Sequence, residues 1–494
     1  MADGKKKSSI YIIGAGFAGT AIAGEIRRKG IFGDVVAFLD DDPGKIGSRI
    51  DQIPVLGPIR DVVSLLRRTP ADEAIIAIPG ASRDKLRDLY RLLKKAEFAK
   101  IRILPGISQI VEGAAHLILA REIDPQDLLA RSPVTINLTR SLAYLRGRRV
   151  LITGAGGSIG AELSRQLLSG GAERLYLFGH GENSIYEIDR ELRILQEEGV
   201  GEKATIVPVI GDLKDADYTR FILKRLKADV VFHCAAYKHV PMTEANPVEA
   251  IKNNVFGTRN LVDASLQAGT RRFVLISTDK TVGPRSVYGV TKKIAEEIVL
   301  GADGGDSLSF MVVRFGNVLG SRGSIVPLFQ RQILKGGPVT VTHPEASRYF
   351  MTIPEAASLV LQTGGVGRGG ELYVLDMGER LLIKDLAEQM IRFYGFEPEK
   401  EIPIQYIGLR PGEKLNEALW NDGESAAETE YRKIYRILRD SSPLPSLEKL
   451  LADLAPICFF DPARPDRYRN RRILRSLLRT AVPTLEAPPH EPEY

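Results

Sequence analysis

The 494-residue chain holds only two cysteines, Cys234 and Cys458, far apart and without metal-ligand spacing. That excludes a disulfide framework and a zinc site, and no metal is expected. No apolar run reaches the roughly 18 residues of a membrane-spanning helix. The basic start, MADGKKKSSIYIIGAG, lacks the apolar segment of a secretion signal. A cytoplasmic protein with no integral membrane segment is expected. Charge of one sign is scarce as well: 68 Lys and Arg against 62 Asp and Glu leave a net +6. This is no concentrated nucleic-acid footprint, so no nucleic-acid partner is expected, and a small anionic ligand fits equally well. The local exception is Arg467, Arg469, Arg471, Arg472, Arg475 and Arg479, before VPTLEAPPHEPEY. It reads as a solvated basic helix with a flexible end, and the other reading is peripheral contact with an anionic membrane or a partner.

What is present is an alternation of strand-like and amphipathic helical segments, with 44% hydrophobic residues, enough for sizeable cores. The fold class predicted is α/β, with two doubly wound parallel-sheet domains of Rossmann type. One series starts at SSIYIIGAG and continues through DVVAFLDD, EAIIAIP and KIRILPG, giving a first domain over 1–120. AREIDPQDLLARSPVTINLTRS reads as a linker, 121–146, with one short helix. A second series, RRVLITGAGGSIG, RLYLFG, TIVPVIGD, DVVFHCAA, RRFVLIST and SFMVVRFGNV, supplies six strands of a dinucleotide-binding sheet over 147–320. The pattern then loosens through TVTH, ELYVLDMG and EIPIQYIG into a smaller C-terminal substrate-binding part, 321–455. The basic helix and tail occupy 456–494.

Each series opens on a glycine-rich turn. In GAGFAG, Gly14, Gly16 and Gly19 lie between a strand and a helix, and Asp40 ends the next strand. The glycines admit a pyrophosphate to the helix N-terminus and the carboxylate suits a ribose hydroxyl, so a second nucleotide site is a candidate. No catalytic group accompanies it, and a sensing or assembly role is expected there. In TGAGGSIG, the TGxxGxxG spacing of Gly154, Gly157 and Gly160, with Ser158 and Ile159, resembles the extended short-chain dehydrogenase/reductase superfamily. Asp212 and Leu213 follow the third strand, where the carboxylate can accept from an adenine amino group. The small Ala235 and Ala236 follow the fourth and leave room for the dinucleotide, and Asn254 stands in the helix beyond. The second strand ends in Gly179-His180 without a carboxylate, so the cofactor can be NAD or NADP.

The stretch STDKTVGPRSVYGVTKK brings Thr278, Asp279 and Lys280 to the carboxyl end of a strand, the ligand edge of an open parallel sheet. Tyr288 and Lys292 follow one helical turn apart on one face. An ammonium beside a phenol favours the phenolate, so Tyr288 can take a proton from an alcohol as hydride leaves. Asp279 and Lys280 go further. Beside a sugar oxidised at carbon 4, an acid and a base permit loss of water across carbons 5 and 6. Asp279 would be the acid, with a raised pKa, and Lys280 the base at carbon 5, with a lowered one. Hydride then returns to carbon 6, so the cofactor is recycled and expected to stay tightly bound.

Taken with AAYKHVPMTEANP, NNVFGTRN, RFGNVLGSRGSIVPLF, SRYFMTIPEA and LRPGEKLNEAL, these motifs resemble the CapD-like polysaccharide-biosynthesis family of nucleotide-sugar 4,6-dehydratases over residues 125–420. GAGFAG through IPVLGPI, and the linker piece IDPQDLLARSPV, are similar to the part preceding the dehydratase in the family's long, membrane-anchored members. The resemblance implies UDP-N-acetylglucosamine as substrate, a UDP-4-keto-6-deoxy sugar as product, a homo-oligomer, and catalytic positions at Thr278, Asp279, Lys280, Tyr288 and Lys292. It places Lys238, Asn317, Arg322 and Arg348 on the substrate side, and Arg410 with Glu413 near the nucleotide. Two departures stand out: the transmembrane helices of long members are missing, and Tyr288 stands where long members often carry Met. A 4-epimerase shares the fold and the Tyr–Lys pair but has no use for Asp279-Lys280. A non-catalytic cofactor-binding regulator would be expected to lose the Tyr or the Lys.

Overall fold

The computed structural model describes residues 8–29, 33–78, 81–103, 121–122, 142–197, 199–200, 204–302, 308–439, 444, 446–488 and 491. The chain divides into two compact units, 1–138 and 139–494. Most of the expected linker lies outside the described residues.

In the first unit, short apolar runs form β1 (Ser9–Ile13), β2 (Asp34–Leu39), β3 (Arg49–Ile50), β4 (Ile53–Gly57), β5 (Glu73–Ile76), β6 (Lys100–Ile103) and β7 (Arg121–Glu122). The sheet order is β3-β4-β2-β1-β5-β6-β7. Strands β4, β2, β1, β5 and β6 are parallel, and β3 and β7 close the edges antiparallel. Arg121-Glu122, at the start of the expected linker, therefore belong to this sheet. Helix Phe17–Lys29 packs Ile22 and Ile26 against Ile10, Ile12 and Phe38.

The second unit begins with β8 (Arg149–Thr153), β9 (Arg174–Gly179), β10 (Thr205–Ile210), β11 (Val230–His233), β12 (Arg272–Thr278) and β13 (Ser309–Phe315). Beyond these come β14 (Asn317–Val318), β15 (Val339–Val341), β16 (Ser347–Met351), β17 (Leu372–Leu375), β18 (Arg380–Leu382), β19 (Ile404–Tyr406), β20 (Glu424–Glu428) and β21 (Ile434–Arg439). The main sheet runs β10-β9-β8-β11-β12-β13-β17-β21-β20. The order reverses direction between β8 and β11, and that switch point is where an open α/β sheet binds its ligand. The smaller sheets are β14-β16-β18 and β15-β19.

One expectation is corrected. LYVL, assigned to a separate substrate-binding part, extends the main sheet parallel to β13, and β21 and β20 follow antiparallel. Four consecutive fully buried apolar residues suit a strand covered on both faces better than a cap.

The tail is also corrected. Helix Arg471–Ala481 starts on an Asn470 cap and presents Leu474 and Leu478, both fully buried, to the catalytic unit's core. Arg475 is buried too, donating to the Glu244 carboxylate at 2.9 Å and to the Glu244 carbonyl at 3.1 Å. Beyond the helix, Leu485 is buried, Thr484 donates to the Pro284 carbonyl at 2.8 Å, and the Glu486 N–H donates to the Arg285 carbonyl at 3.2 Å. The sequence there is basic on one face and leucine-rich on the other, and the leucine face decides its position. Among the described residues, no helix is long and apolar enough to cross a membrane. Leu478→Ala is expected to cost about 2–5 kcal/mol and to lower the thermal unfolding midpoint. Exposed Arg472→Ala on the same helix should stay within about 0.5 kcal/mol.

Candidate active site

The turn after β8 is shaped by close backbone approach. Gly154 has φ +66°, and a Cβ there would lie 2.8 Å from the Ala235 nitrogen at the end of β11. A Cβ at Gly160 would lie 2.3 Å from the Gly154 carbonyl oxygen. Neither position tolerates a side chain, so helix Ser158–Ser169 starts hard against the turn with its first N–H groups facing outward. Gly157 is its cap residue, Ser158 and Ile159 are half-buried, and Ala235 packs against Gly154. A glycine turn closed against a helix N-terminus has the shape a pyrophosphate requires, and these residues fit a dinucleotide cofactor. Asp212, after β10, accepts from the Lys214 N–H at 2.9 Å and faces its ammonium at 3.4 Å. Leu213 is buried in the core behind it. After β9, His180 sets its ring edge-on to Tyr237, 6.4 Å away, with no carboxylate at the strand end.

Asn254 lies in a π-helical turn, Lys252–Phe256. Its amide bonds to protein in all four positions: from the Tyr237 N–H at 2.8 Å and Asn253 at 3.0 Å, and to the Tyr237 carbonyl at 2.9 Å and the Thr291 hydroxyl at 3.0 Å. With its capacity filled, Asn254 fixes the loop after β11 to the helix bearing Tyr288 rather than reaching for a ligand. His233 supports this from below. The Thr258 hydroxyl donates to the Asn254 carbonyl at 2.6 Å, so it accepts from His233 Nε2 at 2.9 Å, and the Thr153 hydroxyl donates to Nδ1 at 2.7 Å. Burial, aided by the Lys292 ammonium, holds His233 down to about 3, and the ring stays neutral.

The chemical groups converge at the end of β12. Asp279 is fully buried. Its Oδ1 accepts from the Thr278 hydroxyl at 3.0 Å and from Lys280 Nζ at 3.0 Å, while Oδ2 has no hydrogen-bond partner. Lys280 Nζ also donates to Asn317 Oδ1 at 3.2 Å and lies 4.0 Å from Glu417 Oε1. Helix Val287–Leu300 starts on the Ser286 hydroxyl, which accepts from the Gly289 N–H at 3.2 Å. Tyr288 and Lys292 are both buried on it.

Two electrostatic expectations are corrected. Lys280 is raised, not lowered: burial pulls it down, but Asp279 and Glu417 outweigh burial. Tyr288 is pushed up to about 12 by burial, with Asp279 adding to the rise, and the ammonium that opposes this is Lys280 rather than Lys292. Lys292 sits beside Glu296 and Cys234 and is held down to about 8 by burial. Without a bound cation, Tyr288 is a neutral phenol.

The expected substrate-side residues divide. Lys238 donates to Ser321 at 3.3 Å, and burial together with Lys280 lowers its pKa. Asn317 bridges to Lys280. Arg322 instead lies on the cofactor turn, donating to the Gly156 carbonyl at 3.0 Å and pairing with Glu187 at 3.0 Å, while its N–H donates to Ser158 at 3.1 Å. Arg348 spends its guanidinium on the carbonyls of Ser347, Leu415 and Lys414 at 2.7–2.8 Å. It is a clamp on that segment rather than a free diphosphate ligand. Arg410 is exposed and pairs with Glu413 in its own turn. In the first unit, Asp40 accepts from the Ala15 N–H at 2.7 Å and the Asp42 N–H at 2.9 Å, beside Lys45 at 3.4 Å. Burial works against its charge, but these bonds prevail and its pKa is lowered. A Cβ at Gly19 would lie 1.9 Å from the Gly14 carbonyl oxygen, whereas Gly16 faces open space.

Sequence reasoning missed Glu417 and a buried charge cluster. Arg314 on β13 and Glu296 on the Tyr288 helix are fully buried and pair at 2.7 Å. Arg314 also holds Glu424 at 2.9 Å, and Glu296 accepts from Ser277 at 2.5 Å. A lone Arg inside SFMVVRF, and a Glu inside an apolar helical stripe, are the signals that could have found it. Arg314→Met leaves two buried carboxylates unpaired and is expected to cost about 3–5 kcal/mol, read as a lower urea midpoint. Gly160→Val should weaken dinucleotide binding at least about tenfold by calorimetric titration, equivalent to ~1.4 kcal/mol; unchanged affinity would remove the cradle assignment.

Residues 150–439 match the family model described as polysaccharide biosynthesis protein, and residues 4–105 match one described as CoA-binding domain. The chain is 41% identical over 434 residues to the capsular polysaccharide biosynthesis protein CapD of Staphylococcus aureus, covering 87% of this chain and 72% of that protein. It is 30% identical over 295 residues to a UDP-N-acetylglucosamine 4,6-dehydratase (inverting) of Campylobacter jejuni, covering 59% and 83%. It is 32% identical over 310 residues to a UDP-glucose 4-epimerase of Rickettsia rickettsii, covering 60% and 84%. Among solved structures, Pen from Bacillus thuringiensis is 34% identical with a TM-score of 0.54, covering 60% of this chain and 88% of that one.

Proposed function

The chain belongs to the polysaccharide biosynthesis protein family, and on that premise we propose that it is a nucleotide-sugar 4,6-dehydratase converting UDP-N-acetylglucosamine to a UDP-4-keto-6-deoxy sugar. The observation that carries this reading is the fully buried Asp279 carboxylate 3.0 Å from the half-buried Lys280 ammonium, beside Tyr288 at the ligand edge of the sheet. A 4-epimerase needs the Tyr but gives this pair no work. The TGxxGxxG cradle with Asp212 and Ala235 would hold NAD or NADP, which when bound supplies a hydride acceptor for carbon 4 and a hydride donor for carbon 6.

The proton steps fall to this chain's residues. One transfer across the 3.0 Å bond turns the resting Lys280 ammonium and Asp279 carboxylate into an amine and a carboxylic acid. Tyr288, as phenolate, takes the proton of the 4-hydroxyl; a nearby positive charge is what brings a phenol at about 12 into range. Lys280 then removes the proton from carbon 5, made acidic by the neighbouring ketone, while Asp279 protonates the departing 6-hydroxyl, which leaves as water. Lys280 returns its proton to carbon 5 as hydride reaches carbon 6. Thr278, which bonds to Tyr288 and donates to Asp279, offers the path by which the Tyr288 proton recharges the acid. The only net loss from the sugar is one water.

The first unit, with Gly14, Gly16, Gly19 and Asp40, is proposed to bind a nucleotide-bearing ligand. Its supports are the open space at Gly16 and the charged carboxylate at the end of β2.

Incubation with UDP-N-acetylglucosamine in deuterated water is expected to give a product lighter by one water with deuterium at carbon 5, read by mass and proton NMR. Asp279→Asn should abolish water loss and retain cofactor binding. An isomer of unchanged mass would instead establish the epimerase.

A further inference from the structure

Lys280 has two carboxylates around it, and the reaction just described uses one. The second, Glu417, is buried, with Oε1 4.0 Å from Lys280 Nζ and Oε2 3.1 Å from Lys414 Nζ. The three residues that lead into it are held by a set of hydrogen bonds. The Arg348 fork clamps the carbonyls of Lys414 and Leu415, the Ser347 N–H donates to the same Leu415 carbonyl at 3.2 Å, the Ser347 hydroxyl donates to Asn416 at 2.6 Å, and Lys414 Nζ donates to the Val282 carbonyl at 2.5 Å. A buried carboxylate costs several kcal/mol to desolvate unless cations face it, and here both facing cations belong to the reaction site or its wall.

We propose that Glu417 is a positioning residue for the reaction: a second carboxylate that shares the Lys280 ammonium with Asp279 and fixes which of the three groups carries the proton. The inference rests on the dehydratase reading for its meaning but not for its test. The groups facing Lys280 are Asp279 on its own turn, Glu417 on the 414–417 segment, Tyr288 on its helix, and the cations Arg348 on β16 and Lys238 after β11. The two carboxylates and Tyr288 favour the ammonium, and the two cations oppose it. With Glu417 present, the proton is held on Lys280 and off Asp279 until the sugar arrives. Removing that carboxylate shifts the balance toward free amine, so Lys280 titrates at lower pH.

The test is competitive labelling of the intact holoenzyme with trace acetic anhydride across a pH series, with the Lys280 peptide quantified by mass spectrometry. Glu417→Gln is expected to lower the Lys280 midpoint by about one pH unit, and Glu417→Asp, which keeps the charge on a shorter arm, by less. The falling limb of the dehydration rate, where Lys280 loses to solvent the proton that Asp279 needs as acid, should move to lower pH by the same amount. A role in packing alone would lower the rate at every pH and leave the midpoint where it was. An unchanged Lys280 midpoint in Glu417→Gln, with thermal unfolding intact, overturns the inference. If that variant does not fold, an unchanged midpoint in Glu417→Asp does so. Should the wild-type enzyme remove no water from UDP-N-acetylglucosamine, the dehydratase reading fails while the labelling midpoint still decides the role of Glu417.

Discussion

The Arg314–Glu296–Glu424 cluster is the interaction on which the rest of the catalytic unit leans. Three charges taken out of water are individually unfavourable and become tolerable only together, in one geometry. That geometry ties four elements: the Tyr288 helix through Glu296, β13 through Arg314, the end of β12 through Ser277, and the start of β20 through Glu424. Glu296 is one turn beyond Lys292, and Ser277 is two residues before Asp279. The cluster therefore sets the distance between the strand end that carries the acid–base pair and the helix that carries the phenol. A purely apolar contact at this point would hold the same elements with a looser register.

Around that anchor, the site is built from neutral hydrogen-bond chains and paired charges in separate zones. The chain Thr153–His233–Thr258–Asn254–Thr291 runs beneath the cofactor cradle and carries no charge, since burial keeps His233 neutral. The charged groups Asp279, Lys280 and Glu417 gather at the end of β12. A neutral floor positions without competing for protons, which in the proposed reaction leaves proton traffic to Asp279, Lys280 and Tyr288.

Much of this was legible in the sequence because it is local. Gly154 through Gly160, Thr278 through Lys280, and Tyr288 with Lys292 each lie within one turn or one helical repeat, where residue type and spacing report directly on chemistry. The same reading missed what depends on contacts between distant segments. Glu417 meets Lys280 from across the chain, and Arg348 is spent on a backbone 66 to 67 residues away instead of on a diphosphate. β17 was assigned outside the main sheet because a four-residue apolar run does not announce its neighbour. A lowered pKa is expected of Lys280 because a base at carbon 5 needs one; burial works in that direction, but its two carboxylates reverse the sign. The arginine-rich tail was read by its charge, although leucines spaced four apart, Leu474 and Leu478, determine where it lies.

That docked tail has a consequence for how the molecule is made. Glu244 receives Arg475 from the tail and, with its other oxygen, accepts from the Val287 N–H at the first turn of the Tyr288 helix at 2.6 Å. The contacts of Thr484 and Glu486 with the loop at 284–285 span about two hundred residues of chain. During synthesis, the helix that carries Tyr288 emerges from the ribosome long before the segment that braces its entrance. The sheet can assemble while translation continues, but the helix that carries Tyr288 reaches its final support only after the segment from Arg475 to Glu486 has also emerged.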